Sequence, residues 1–218
     1  QDSALLGNPN IDDGDRNFNQ WSLIHNRLSA LLETQLTWRN YGALLSADGF
    51  YDQVYHHPND NNSGDVATPA IPTTSNKLGA ASQWSEGTRY YDGQRIRLLD
   101  GYVYGTWSLN DSTNLDVRAG KQLAAWGESL FFSGIASTQA PADATKAFVP
   151  GAEIKEILLP VDQISSSLAV GDRWTLLAQY KLDFKPNEIF PLGDYFSPSD
   201  SVGPGASFSA GAYNPVYL

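Results

Sequence analysis

Cysteine is absent from the 218-residue sequence, which excludes a disulfide framework, thiolate metal sites and cysteine nucleophiles. Long hydrophobic runs are absent too. No stretch of about 20 apolar residues exists, so no helix of membrane-spanning length is encoded. A tilted transmembrane strand needs only about 9–11 residues and is untouched by that exclusion. Basic charge is scarce: 14 Lys and Arg against 24 Asp and Glu give a formal net charge of −10. Such a surface repels phosphates and argues against a nucleic-acid partner. There is no Gly-rich phosphate loop, and Trp126-Gly127-Glu128-Ser129 lacks the second glycine of a nucleophile elbow. No leader pattern opens the chain; Gln1 reads as a processed or trimmed start.

What the chain does have is aromatics, with 6 Trp, 11 Tyr and 9 Phe, although only 41% of its residues are hydrophobic. An acidic, aromatic-rich, cysteine-free chain with abundant Gly, Asn and Ser fits secreted β proteins and outer-membrane barrels. The clearest signal is a two-residue alternation. Leu28, Ala30, Leu32, Thr34, Leu36 and Trp38 form one strand face, and Arg39–Asn40 is a tight turn. The returning strand from Tyr41 to Tyr55 carries Tyr41, Ala43, Leu45 and Ala47 on its apolar side. Leu99, Gly101, Val103, Gly105, Trp107 and Leu109 alternate with Asp100, Tyr102, Tyr104, Thr106 and Ser108. After a turn at Asn110–Asn114, Leu115, Val117 and Ala119 alternate with Asp116 and Arg118, Lys121 interrupting the apolar side. A weaker strand at Ile164–Val170 and a further one from Trp174 to Phe184 complete six.

Between the strands lie long aperiodic stretches, giving an irregular segment at 1–20 and a strand-rich part at 21–218 with inserted loops at 56–92, 128–160 and 186–218. Short turns at one end and loops of about 30 residues at the other suit a barrel crossing an outer membrane. Trp38, Tyr41, Trp107 and Trp174 all flank short turns on the apolar parity, as a belt at the headgroup level would require. The opposite parity is charged and would line a lumen: Glu33, Asp48, Asp52, Arg97, Asp100, Asp116, Arg118, Lys181 and Asp183. Both signs occur, so much of it reads as a salt-bridged wall. The insertion after the 115–125 strand mixes apolar residues with Gly, Pro and Ala, and it could fold inward as a constriction. Its candidate residues are Trp126, Glu128, Phe131, Phe132, Glu153, Lys155 and Glu156. An outer loop packed on its neighbours is the plainer alternative.

Chemistry candidates are weaker. Glu128 with Glu153 and Glu156 could serve as paired carboxylates in glycoside hydrolysis, but nothing fixes their separation. His56-His57 lacks a second ligand pair for a metal. The Asp12–Asn19 and Asn59–Asp65 clusters offer oxygen ligands without the spacing of a known calcium loop. No catalytic residue, metal or cofactor is assigned.

Five collinear blocks carry a family resemblance. They are LTWRNYGALLSADGFYD at 36–52, LLDGYVYGTWSL at 98–109, VRAGKQLAAWGES at 117–129, PGAEIKEILLPVDQISSSLAV at 150–170, and Tyr195-Phe196-Ser197 with Val202-Gly203-Pro204-Gly205. Together they resemble the domain-of-unknown-function 1302 family. The resemblance implies a proteobacterial, porin-like outer-membrane barrel, associated with an inner-membrane exporter and a periplasmic carrier. It supplies no catalytic residues. Members are longer, and the matched blocks belong to their N-terminal part. Six strands fall short of the roughly eight a membrane barrel needs, so the chain reads as about half of an all-β, antiparallel up-and-down outer-membrane barrel.

The expected function is passage or hand-over of a hydrophobic or amphipathic small molecule or lipid, at the bacterial outer membrane, with no chemical step. The alternative from another class is a soluble or surface-attached carbohydrate-binding β-sandwich.

Overall fold

The computed structural model describes residues 10–68, 75–124, 140–146, 149, 157–210 and 215–217. The chain forms two compact units. One comprises Gln1–Ser29, Gly49–Arg95 and Ile189–Leu218; the other comprises Ala30–Asp48 and Ile96–Glu188.

The strands are β1 (Arg27–Trp38), β2 (Tyr41–Asp52), β3 (Asp65–Val66), β4 (Gly79–Ala80), β5 (Gln94–Asn110), β6 (Thr113–Gln122), β7 (Val161–Val170), β8 (Trp174–Lys181), β9 (Phe208–Ala210) and β10 (Pro215–Tyr217). Six of them form one sheet in the order β1-β2-β5-β6-β7-β8. Each strand therefore pairs with its neighbour in that sequence, an up-and-down meander with β3 and β4 set aside as their own ladder. β5–β6, β6–β7 and β7–β8 are antiparallel. The β1–β2 link is two residues long, which only an antiparallel pair permits; Arg39 takes the left-handed conformation there, with φ 53°. Among the described residues β1 and β8 are the sheet's two edges.

Register explains which side chains share a face, because successive residues of a strand point to opposite sides. Trp107 pairs with Leu115, Val103 with Ala119, Leu168 with Leu115, and Tyr180 with Ile164. These apolar residues line one face. The other face carries the rows Tyr104–Arg118–Ser165–Gln179 and Thr106–Asp116–Ser167–Leu177. Tyr104 Oη is 3.0 Å from Gln35 Nε2 and 3.3 Å from Thr37 Oγ1, which puts Gln35 and Thr37 of β1 on the polar side as well.

β5 corrects one expectation. Leu99 does not share a face with Val103: Leu99 is buried, while Ile96 and Leu98 are exposed. The alternation slips by one position around Asp100–Gly101, as an extra residue in a strand demands. The Leu98 side chain then lies over Gly101. The second strand also ends earlier than expected, at Asp52, whose side chain accepts from Val54 N and starts a 3-10 turn at Gln53–His56. Two glycines let rings cross the sheet. The Tyr104 ring occupies the place of a side chain at Gly42, and the Trp107 ring that at Gly105, a way aromatics cover strand glycines.

The other unit is mostly non-repetitive. The expected irregular start contains a short helix, α1 (Asp13–Asn17), and a second one, α2 (Glu86–Thr88), runs into a π turn at Arg89–Gly93. Its core is aromatic: Phe18, Tyr55 and Trp84 are buried together, with Ile24 and Val54 packed against them. Trp84 lies 4.8 Å from Tyr55 and 5.5 Å from Phe18, ring centre to ring centre.

Gly42→Val should displace the Tyr104 ring from its place over β2 and cost about 0.2–1 kcal/mol, the worth of a cross-strand contact. A lowered urea midpoint with unchanged slope is the expected reading; an unchanged midpoint would show that the ring moves aside freely.

Candidate functional site

The polar face is not uniformly open. At one end Arg97 is buried and forms a fork on Asp48, Nε to Oδ1 at 3.0 Å and Nη2 to Oδ2 at 2.7 Å. Its remaining nitrogen, Nη1, reaches Asp143 Oδ2 at 2.7 Å. Lys146 Nζ stands 3.6 Å from Asp48 Oδ2. Among these four side chains two cations meet two carboxylates, which balances their charges, a condition for burying such groups.

Asp143 and Lys146 belong to the insertion between β6 and β7, so this cluster fastens the insertion to the polar face. The two described ends of the insertion are also zipped together. Asp143 N donates to Ile157 O at 2.7 Å and Leu159 N to Pro141 O at 2.8 Å. Asp143 Oδ1 accepts from Thr145 N and Oγ1, so both its oxygens are engaged. Glu188 adds a third strand-like contact, its N donating to Ala142 O and its O accepting from Ala144 N.

These contacts change the reading of three residues expected to line a lumen. Asp48 and Arg97 are buried in the cluster just described. Asp52 is fully buried in the other unit. It accepts from Asn26 N at 3.0 Å and stands 2.9 Å from His25 Nδ1 and 3.3 Å from Arg27 Nε. Buried carboxylates need such partners, which explains why these positions turned inward. Glu33, Arg118, Lys181 and Asp183 are exposed, and Asp100 and Asp116 are half-buried. The expected constriction residues Trp126, Glu128, Phe131, Phe132, Glu153, Lys155 and Glu156 lie outside the described residues.

Trp38, Tyr41, Trp107 and Trp174 flank the short turns at one end of the apolar face, with Trp174 on β8, three strands from Trp107 on β5. Trp38 is 69% and Trp174 76% exposed, and Tyr41 meets Trp107 edge-on with centres 5.8 Å apart. The Arg39 guanidinium caps the Trp38 ring at 5.3 Å. Below them an apolar groove of about 730 Å³ runs over Ala43, Val103, Gly105 and Val117.

Sequence reading missed the partners of Arg97. Nothing in an Ala-rich stretch marks Asp143 as different from a solvated loop acid. It also missed the buried Gln122–Gln163 pair, in which each side-chain amide donates to the other's backbone carbonyl, at 3.1 and 2.7 Å.

The Asp/Asn-rich segments serve the fold of their own unit. Asp12 pairs with Arg16 at 2.8 Å, and Asp60 accepts from Asn19 N and Ser22 Oγ. Asp13 and Asp200 are both buried, with Asp13 N donating to Asp200 Oδ2 at 2.8 Å. Burial, with Asp200 close by, pushes the Asp13 carboxyl up to about 8. Burial likewise lifts Asp200 to about 6. Among the described residues no group of three His, Asp or Glu is placed to hold a metal ion.

An antiparallel meander with one apolar and one polar face, the polar one partly capped by its own insertion, is the class of protein seen here. The model of the family described as "Protein of unknown function (DUF1302)" matches residues 1–217, and the chain belongs to that family. No curated protein and no solved structure matches the chain.

Replacing Arg97 by Met leaves Asp48 and Asp143 buried without their main partner and should cost about 3–5 kcal/mol. Arg97→Met with Asp48→Asn and Asp143→Asn should recover most of that loss. Equal stability of the single and triple variants in urea titrations would contradict the pairing. A second outcome concerns pH. Asp13 and Asp200 hold protons in the folded state that the unfolded chain has released, so stability is greatest below about pH 4 for this pair and falls as pH rises towards about 8. Protease resistance of the Asp13 region should decrease over that range, and Asp13→Asn should flatten the dependence.

Proposed function

We propose that the chain is part of an outer-membrane β-barrel, porin-like, that passes or hands over a hydrophobic or amphipathic small molecule or lipid without a chemical step. The observation that carries this reading is the exposure of the sheet's apolar face. Leu36 is 68%, Val103 60%, Leu176 66% and Tyr180 70% exposed, with Leu32, Leu45, Ile96 and Leu182 beside them.

Fully burying one such side chain is worth about 1.5–3 kcal/mol. Leaving the whole face in water forfeits on the order of 15 kcal/mol by that measure, comparable with the entire net stability of a domain. A hydrocarbon layer on this face removes the deficit. A sandwich would cover the face with a second sheet, and among the described residues the other two ladders have two strands each. Membrane strands satisfy every backbone group only when the sheet closes, so β1 and β8 would be joined through further strands of a longer chain.

In this reading the aromatic residues Trp38, Tyr41, Trp107 and Trp174, spread across the sheet beside its short turns, sit at the headgroup level. The polar face with Glu33, Asp100, Asp116, Arg118, Lys181 and Asp183 lines the lumen. The Arg97 cluster holds Asp143 and Lys146 of the insertion against that wall, where they would narrow the passage. Outer-membrane lipid surrounds the protein, and an inner-membrane exporter with a periplasmic carrier supplies or receives the cargo, as the family resemblance implies.

The test is lipid quenching. Variants retaining only Trp38, Trp107 or Trp174, reconstituted in vesicles containing brominated phospholipid, should lose most of their fluorescence, and extraction should require detergent. Native folding as a monomer in plain buffer, with the same tryptophans open to iodide, would end this reading.

A further inference from the structure

Arg118 differs from the other strong cation of the polar face. Arg97 is consumed by two carboxylates, whereas among the described residues no carboxylate pairs with Arg118. Its guanidinium instead lies over the Tyr102 ring, 5.6 Å from the ring centre. Stacking of this kind holds the planar fork in place while its N–H groups stay available.

The positions around it are small or hydroxylic. Arg118 pairs with Tyr104 on one side and Ser165 on the other, and the next residue on its own face is Gly120, facing Tyr102 and Gln163. The result is a depression of about 340 Å³ lined by Asp116, Arg118, Gln122, Ser165, Ser167 and Leu177. That is the lower end of small-ligand sites. Gln122 is fixed by Gln163 and accepts from Ser165 Oγ at 3.1 Å. The wall beneath the fork is therefore set before any ligand arrives.

One lining residue has the wrong polarity for a merely hydrated wall. Leu177 occupies the polar parity of β8, in the row with Thr106, Asp116 and Ser167, and is 42% exposed. Leu123 and Ala124, past Gln122 on β6, also line this depression. A guanidinium with free donors, hydroxyls beside it and an exposed leucine one row away make a site with a charged end and a greasy end.

We propose that this depression binds an anionic amphiphile, its oxyanion head on the Arg118 fork and the Ser165 and Ser167 hydroxyls, its alkyl part along Leu177 and Leu123. Arg favours planar and tetrahedral oxyanions through paired N–H donors, so a carboxylate and a phosphate monoester share the chemistry. Asp116 sets a limit. Its Oδ1 accepts from Thr106 Oγ1 at 2.6 Å, and its negative charge beside the pocket disfavours a second acidic group on the ligand. The assignment rests on the proposed passage of an amphipathic molecule along the polar face, and it names the class of molecule.

The probes are octanoate, octyl phosphate and octanol, titrated calorimetrically into the full-length protein in a non-ionic detergent. At least one of the two anions should bind ten-fold or more tightly than octanol, and which one does so identifies the head group. Arg118→Gln should erase that preference; Lys181→Gln, a charge change elsewhere on the same face, should leave it intact. Leu177→Asp, at a 42% exposed position, should weaken the anions at least ten-fold and provides the answer should Arg118→Gln fold poorly. No preference for either anion, a preference surviving both Arg118→Gln and Leu177→Asp, or equal loss in Lys181→Gln overturns the site. Its fate separates from that of the membrane reading. Arg118-dependent binding by a protein that folds without detergent sinks the barrel and keeps the site, while a detergent-requiring protein indifferent to the anions does the reverse.

Discussion

A pleated strand offers its side chains only two directions, and that constraint governs everything in the sheet unit. Six strands keep their apolar residues on one side and their charged residues on the other. The usual arrangement buries the first and wets the second. Here the deepest burial is on the polar side, at Asp48, Arg97, Asp143, Lys146 and Gln122, while the leucines opposite are bare. Once the polar side has become the interior, each charge there must find a partner or stay in contact with water. Arg97 finds two carboxylates, the paired glutamines find each other's carbonyls, and Arg118 remains on a tyrosine ring facing open space.

The same constraint gives the insertion its place. A loop laid on an apolar face would be held by area alone and could slide. Laid on a polar face, it is positioned by hydrogen-bond geometry, because a fork with nitrogens 2.7 Å from Asp48 and from Asp143 admits one arrangement. This is costly to build and costly to break, which suits an element that must keep its position. It also draws a division of labour among cations that look alike in the sequence: Arg97 fastens, Arg118 is available.

The other unit works by a different logic. Its centre is three aromatic rings and a set of buried aspartates, and it gains little from repetitive structure. Asp13 and Asp200 are buried, and burial raises both carboxyls, so their proton uptake ties this unit to pH. The motif at Val202–Gly205 is explained locally. A side chain at Gly205, which has φ 95°, would strike the Ser85 hydroxyl, and Ser85 caps α2 through Thr88 N.

Much of the sheet was legible in the sequence because a two-residue period is a local property. β1 with its Arg39–Asn40 turn, the β5–β6 hairpin and the pairing of β7 with β8 follow from alternation and turn residues alone. So does the placing of Trp38, Tyr41, Trp107 and Trp174 at one end of the apolar face, since side and distance from a turn are both counted along the chain. Leu99 was misplaced because an extra residue in β5 leaves no mark in composition; two adjacent leucines fit either face. Burial of Asp48, Asp52 and Arg97 was invisible for another reason. An acid on a strand reads as a wall residue until its partner is known, and Asp143 lies far along the chain in a stretch without periodicity. Sequence by itself determined the six strands of the large sheet, most of their faces and the family. Only tertiary structure decided which charges are spent in pairs and which remain free, because ion pairs form between residues that the chain order does not bring together.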